Sequence, residues 1–198
     1  MVEKLKEREW HFINEISLTI HSVSDSAQMR TEFLNLLQSL LKFRYASCYL
    51  FEDGKAVSPV GIDFTEEELN SYERKLEKID PFRPLRKLFF DQKHPAVRVN
   101  DYVFDDDIET QTYFREVWKP KNIRYSLFAG FGYQGEMLGC VSLYRTEDQE
   151  EFSDRDMLIM NILKEHMNIR LFRDTQGAFS GKSIAGEGTS ALQTESSR

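Results

Sequence analysis

Apolar residues recur every three to four positions at both ends of this chain and every second position along much of its interior. Trp10, Ile13, Ile16 and Ile20 mark an amphipathic helix from about Glu3 to Ser22. Ser24 or Asp25 restarts a helix whose stripe is Phe33, Leu36, Leu37, Leu40 and Leu41, ending near Lys42. Tyr45 to Phe51 then reads as a strand, Asp53-Gly54 as a hairpin turn, and Ala56 to about Ile62 as its partner. Thr65-Glu66-Glu67-Glu68 has the form of a capping box, opening a charged helix that ends before Asp80-Pro81.

Pro81, Pro84 and Pro95 break up the middle, where Ala96 to Val99 reads as a short edge strand and Thr110 to Trp118 as a helix stopped by Pro120. Alternation returns over Arg124 to Tyr133, turns at Gln134-Gly135-Glu136 and resumes over Met137 to Thr146, predicting an antiparallel hairpin. Ser153 and Asp156 have capping-box spacing at the start of a last helix, expected to run to about Asp174. From Thr175 to Arg198 the chain is rich in Gly, Ser, Thr and Ala, which predicts a disordered tail or a linker. The domain is therefore expected over 1–174 and the tail over 175–198.

Composition narrows the function. With 198 residues, 40% hydrophobic and 30% charged, the chain suits one domain with an ordinary core. Twenty-six Lys and Arg against 33 Asp and Glu leave a net charge of -7, so direct nucleic-acid binding by this chain is not expected. No apolar run approaches the roughly 20 residues that span a bilayer, and the N-terminal residues have no signal-peptide core, so a cytoplasmic protein without membrane attachment is expected. Cys48 and Cys140, both within apolar strand-like runs, fit reduced core thiols.

The order of elements, with Ala46-Ser47-Cys48-Tyr49-Leu50-Phe51, the Asp53-Gly54 turn and Met137-Leu138-Gly139-Cys140-Val141-Ser142-Leu143, resembles the GAF family of small-molecule sensory domains. Tyr144-Arg145 followed by Phe152-Ser153-Asp154-Arg155-Asp156 looks most like the GAF-type sensor halves of bacterial LuxR-type transcription regulators. The resemblance spans about Met1 to Asp174. It implies an α+β fold: a GAF-like central antiparallel sheet of five to six strands, terminal helices on one face, and an irregular pocket-closing segment on the other. It also implies a role in signal transduction and transcription regulation. The family's helix-turn-helix is not seen after Arg173, so the output is expected to pass to a partner or to an effector domain elsewhere.

Other motifs lose their force in context. Gly130-Phe131-Gly132-Tyr133-Gln134-Gly135 matches a dinucleotide fingerprint by letter, but a strand follows where a helix is needed; close packing and a turn explain the glycines. Asp101, Asp105 to Asp107 and Glu109 lack the alternation of a calcium loop, and His11, His21, His94 and His166 lie on separate elements, so no metal site is expected. The first and fifth strands of the family's fold are neighbours, which makes a Cys48–Cys140 redox pair conceivable. That would suit a small enzyme of the free methionine sulfoxide reductase type, although nothing cationic adjoins either thiol in sequence. No catalytic set was found, and the cofactor is not identified. The chain is expected not to be an enzyme.

Aromatic residues make up 13% of the chain and concentrate where the resemblance places a pocket. The expected ligand-binding residues are Tyr49, Phe82, Tyr102, Tyr113, Phe114, Trp118 and Tyr125, around an unidentified small molecule. Whether those rings line an open pocket or fill a core stays open at this level, the filled case being a ligand-free dimerisation scaffold. On strand alternation, Tyr45, Ser47, Tyr49 and Phe51 should face the pocket, and Ala46, Cys48 and Leu50 the helices. The last helix is apolar on more than one face. A homodimer is expected to cover Ile13, Ile16 and Ile20 of the first helix with Met160, Leu163, Met167 and Leu171 of the last.

Overall fold

The structure, a computed structural model, describes residues 4–71, 90–102 and 112–186, with side chains to residue 177. Helices α1 (Glu7–Ser22) and α2 (Ser26–Leu41) lead into strands β1 (Tyr45–Glu52) and β2 (Lys55–Ile62) and a helix α3 (Glu66–Ser71). After β3 (Val97–Arg98) comes a π-helical turn at Phe114–Trp118, then β4 (Ile123–Tyr133), β5 (Glu136–Thr146) and the long helix α4 (Asp154–Gly186). The five strands form one antiparallel sheet in the order β2-β1-β5-β4-β3.

Local chemistry accounts for the turns. Asp53 and Gly54 have φ of 50° and 76°, and Gln134 and Gly135 have 51° and 85°. Two successive left-handed residues give the turn twist that matches paired strands. Asp25 caps α2 through the Gln28 amide at 2.7 Å. Thr65 and Glu68 cap α3 reciprocally at 2.8 and 3.2 Å. Ser153 and Asp156 do the same for α4 at 3.0 and 3.3 Å. Edge strand β2 carries Pro59, allowed there because its missing N–H faces no neighbour, and Ser58 at φ 49° adjoins a register shift. The buried Arg30 secures that irregularity by donating to the Cys48 and Ser58 carbonyls.

Helices α2 and α4 cover one face of the sheet, and α1 packs against both. Ala46, Cys48, Leu127, Ala129, Phe131, Val141 and Leu143 meet Phe33, Leu34 and Leu37 of α2 and the inner side of α1 and α4 in one buried cluster. Ile13, Ile16 and Ile20 belong to it, as do Met160, Leu163, Met167 and Leu171, and all seven are at most 4% exposed. These residues, expected at a subunit boundary, are thus covered by their own chain. A second copy would meet the outward residues instead, among them Trp10, Leu18 and Ile169.

The last helix also continues to Gly186, past the expected end near Asp174. Its inner side is less apolar than its sequence suggests. Asn161, Lys164, Asn168 and Arg170 turn inward and tie down neighbouring backbone: Ala96 N–H on Asn161, the carbonyls of Asp91, Gln92 and His94 on Lys164, Gly132 N–H on Asn168, and the carbonyls of Ile20, Val23 and Ser24 on Arg170. Buried polar groups are tolerated here because each side chain has at least one partner, although the Asn168 Nδ2 has none among the described residues.

Candidate functional site

A cavity of about 80 Å³ lies on the other face of the sheet. Cross-strand register places its polar floor: Ser47 of β1 is opposite Ser142 of β5, and Ser126 of β4 is opposite Tyr144, one step along the same face. Ser47 and Ser126 are 6% and 2% exposed, and among the described residues none of the three hydroxyls has a protein hydrogen-bond partner. Tyr49, Cys140 and Phe128 rise beside them, Phe64 and Leu69 close one side, and Val99, Tyr113, Val117 and Trp118 close the other.

The walls are rings packed edge to face. Phe114 meets Trp118 at 4.5 Å, Trp118 meets Tyr144 at 6.2 Å, and Phe64 meets Tyr144 at 5.8 Å. The Tyr49 hydroxyl donates to the Leu69 carbonyl at 3.0 Å, and burial, aided by Tyr144 and the two cysteines, pushes its pKa up. That phenol stays neutral. The Trp118 Nε1 is buried without a partner, an unmet donor beside an unfilled space. At the rim, Glu68 pairs with Lys121 at 2.8 Å. Burial pushes the Glu68 carboxyl up, but Lys121 and Thr65 outweigh it and hold it below the usual range. Among the described residues the cavity lining therefore carries no net charge.

Of the expected ligand-binding residues, Tyr49, Tyr113 and Trp118 line this cavity. Phe114 packs behind Trp118 and lines a second, outer pocket. Tyr125 turns to the helix face, because strand parity puts it with Leu127 and Ala129 and opposite to Ser126 and Phe128. Tyr102 is 48% exposed outside the cavity, and Phe82 lies outside the described residues. On β1, Ser47 and Tyr49 face the cavity while Ala46 and Cys48 face the helices. The hydroxyl floor lies outside the residues that the sequence pattern points to. Its only sequence signal is a serine at matching alternation in each of three strands.

The same parity separates the cysteines. Cys48 is opposite Val141 and Cys140 is opposite Tyr49, so the thiols point to different faces of the sheet. Both are free and buried. Burial, against the opposing pull of Arg30, pushes the Cys48 thiol up to about 11.

Two links run from the cavity wall to α4. Val99 lines the cavity, and its neighbour Arg98 donates to the Phe152 carbonyl at 2.5 Å and pairs with Asp154 at the first turn of α4. Phe90 packs with Tyr49 and Cys140, and the segment that follows it is held by Lys164. Among the described residues no helix is long and apolar enough to cross a membrane.

Neither a protein-family model nor a curated protein sequence matches the chain. Solved structures do match in fold. The GAF domain of a phosphoenolpyruvate-protein phosphotransferase from Coxiella burnetii superposes with a TM-score of 0.66 at 12% identity, over 86% of this chain and 96% of that one. The phycoerythrobilin-bound GAF domain of a cyanobacterial phytochrome gives 0.60 at 14% identity, over 89% and 100%. The free methionine-R-sulfoxide reductase from Neisseria meningitidis, in complex with its substrate, gives 0.60 at 12% identity, over 89% and 99%. The chain has the GAF-type α+β fold, with its cavity between the sheet and the segment before β4.

Proposed function

We propose that this GAF-type domain is a sensor that takes a small molecule into the cavity and reports it through α4. The observation that carries the reading is the cavity itself: under aromatic walls lie three serine hydroxyls and an indole N–H that have no protein partner among the described residues. Ligand binding at Val99 has a physical route outward, because Arg98 grips the start of α4. To transmit anything, the ligand must favour one α4 placement over another. The sensor acts as a homodimer through the outward faces of α1 and α4, where Trp10 and Leu18 are 51% and 61% exposed. Its output is regulatory, in the manner of the sensor halves of LuxR-type regulators. It is delivered to a partner or an effector domain, and the domain itself works in the cytoplasm without catalysing a reaction.

Native mass spectrometry of gently purified protein tests this in one spectrum. A dimer carrying a small molecule is expected; a bare monomer would overturn it.

Cys140 in the cavity wall favours a second reading, a cysteine-dependent enzyme of the methionine sulfoxide reductase type. Such an enzyme that closes a disulfide needs another thiol at hand, and the one other cysteine lies across the sheet. A double Cys48→Ser, Cys140→Ser variant that abolished a turnover of methionine sulfoxide would support this reading over the sensor. The cavity's volume, below the roughly 300 Å³ of a ready-made ligand site, is the observation behind a third, a ligand-free scaffold. It predicts the dimer mass with nothing bound.

A further inference from the structure

The polar floor of the cavity has a definite layout. Ser47 and Ser142 are directly opposite each other across β1 and β5, which puts their β-carbons about 4.5–5.5 Å apart on one face. Two hydroxyls at that spacing can converge on a single acceptor atom. On β4 the residue opposite Ser142 is Phe128, so Ser126, two positions before it, is the diagonal neighbour of Ser142 at about 7–8 Å. Asn100 fixes Ser126 by accepting from its backbone N–H at 3.3 Å while donating to the Arg124 carbonyl at 3.2 Å.

Charge and volume restrict what this floor can meet. Among the described residues the lining has no Lys, Arg, His or Asp, and its one carboxylate, Glu68, is already paired with Lys121. An ion held there would lose its hydration without gaining a counter-charge, which selects for a neutral molecule. The volume of about 80 Å³ is about half of the roughly 150 Å³ that holds benzene, so it suits a ligand of about three or four non-hydrogen atoms. Phe64, Leu69, Val99 and Val117 make the sides apolar. The Trp118 Nε1, buried with no partner among the described residues, adds a donor to the lining.

Building on the sensor reading, we propose that the cavity takes a small uncharged primary amide of about the size of acetamide. Its carbonyl oxygen accepts from Ser47 and Ser142, its NH₂ group donates to the Ser126 hydroxyl, and its alkyl end packs against the apolar sides. The oxygen and nitrogen of an amide lie about 2.2 Å apart, and a hydrogen bond of about 2.9 Å at each end extends that to about the Ser142–Ser126 diagonal. A ketone of the same shape makes the first contact and lacks the second. A carboxylate of the same shape brings a charge that the lining does not answer.

The test uses the isotope-labelled full chain, in which the Trp118 indole N–H resonance reports from the cavity wall; Trp10→Phe identifies it, since the chain has two tryptophans. Acetamide, acetone and acetate are titrated while that resonance is followed. With so few atoms, the dissociation constant of acetamide should be no lower than about 40 µM. Acetamide is expected to bind about fivefold tighter than acetone, the effect of one neutral hydrogen bond, and at least about tenfold tighter than acetate. Ser126→Ala should bring acetamide down to acetone and leave acetone unchanged, whereas Ser47→Ala with Ser142→Ala should weaken both about tenfold. The hydroxyls have no protein partner to lose among the described residues, so the melting temperature should hold in each variant. Acetate binding as tightly as acetamide, or an acetamide preference that survives Ser126→Ala, overturns the inference. So does an indole resonance that none of the three probes moves, which leaves the hydroxyls to water. If that happens while mass spectrometry finds a retained small molecule, the sensor reading stands without the amide; if neither experiment finds a ligand, both fall.

Discussion

Gly132 sits where three parts of the molecule meet, and replacing it with alanine tests whether the cavity wall and α4 are joined as described. A Cβ there would lie 1.8 Å from the Phe90 carbonyl oxygen and 2.9 Å from its carbon, where ordinary contact begins near 3.4 Å. The obstacle is backbone, so no rotamer change relieves it. Phe90 would have to retreat by about 1.6 Å, and its ring, set edge-on to Phe51 at 4.9 Å and Phe128 at 6.2 Å, would move with it. The Gly132 N–H also donates to Asn168 of α4 at 3.1 Å, a buried bond that the shift strains. Overpacking of about 1–3 kcal/mol and about 1 kcal/mol from the hydrogen bond predict a loss of about 2–4 kcal/mol. At this chain length that is a fall in Tm of about 4–16 °C. Urea unfolding followed by circular dichroism measures it. Gly135→Ala serves as the comparison: it is left-handed at φ 85° but has open space around the new Cβ, so about 1–2 kcal/mol is expected. A Gly132→Ala protein as stable as wild type, or no worse than Gly135→Ala, would refute the account of this junction.

Three further outcomes are expected. Asp156→Ala strands the buried Arg145, which keeps only the carbonyls of Leu41, Glu150 and Glu151, and should cost about 2–4 kcal/mol in urea unfolding; a change below 0.5 kcal/mol contradicts the pairing. His21, within 3.1 Å of His166, has its pKa held below 6.5 by burial and then by His166, Arg173 and Arg170. The unfolded chain then takes up a proton that the folded one refuses, so this residue adds no pH dependence above about pH 6.5 and lowers stability below it. His21→Asn should flatten that acid-side slope, and an unchanged slope across pH 5 to 7 argues against it. With its thiol pushed up to about 11, Cys48 should resist a thiol reagent at pH 8 in the native state and react once urea unfolds the chain; prompt native labelling of Cys48 in a Cys140→Ser background would contradict its burial.

Most elements were legible because each carried a short-range signal: a period, a cap or a turn pair. Asp53-Gly54, Thr65 with Glu68, and Ser153 with Asp156 act in the structure as their spacing predicts. Cavity residues on regular strands were equally readable, since alternation alone sends Tyr49 one way and Cys48 the other. Tyr125 missed because the aromatic cluster was read by its density and not by parity. The burial of Ile16 and Met167 could not be seen in either helix alone. A stripe is buried by whatever reaches it first, and here α1 packs against α2 and α4 while α4 lies on β4, all within one chain. Lys164, Asn168 and Arg170 were hidden for a related reason: a polar residue on an apolar stripe looks like a flaw until the loop carbonyls and amides it serves are located.

The reach of α4 carries it well past its packed part. Its last ring contact with the sheet is Phe172 on Tyr133, yet the helix runs on to Gly186. At 1.5 Å per residue the part beyond Phe172 is about 20 Å long. A tilt of about 10° at the packed end would carry the tip about 3.5 Å, roughly the rise of two residues. The 20 Å beyond that contact therefore makes the C-terminal end of α4 a sensitive indicator of any change in the tilt of its packed part.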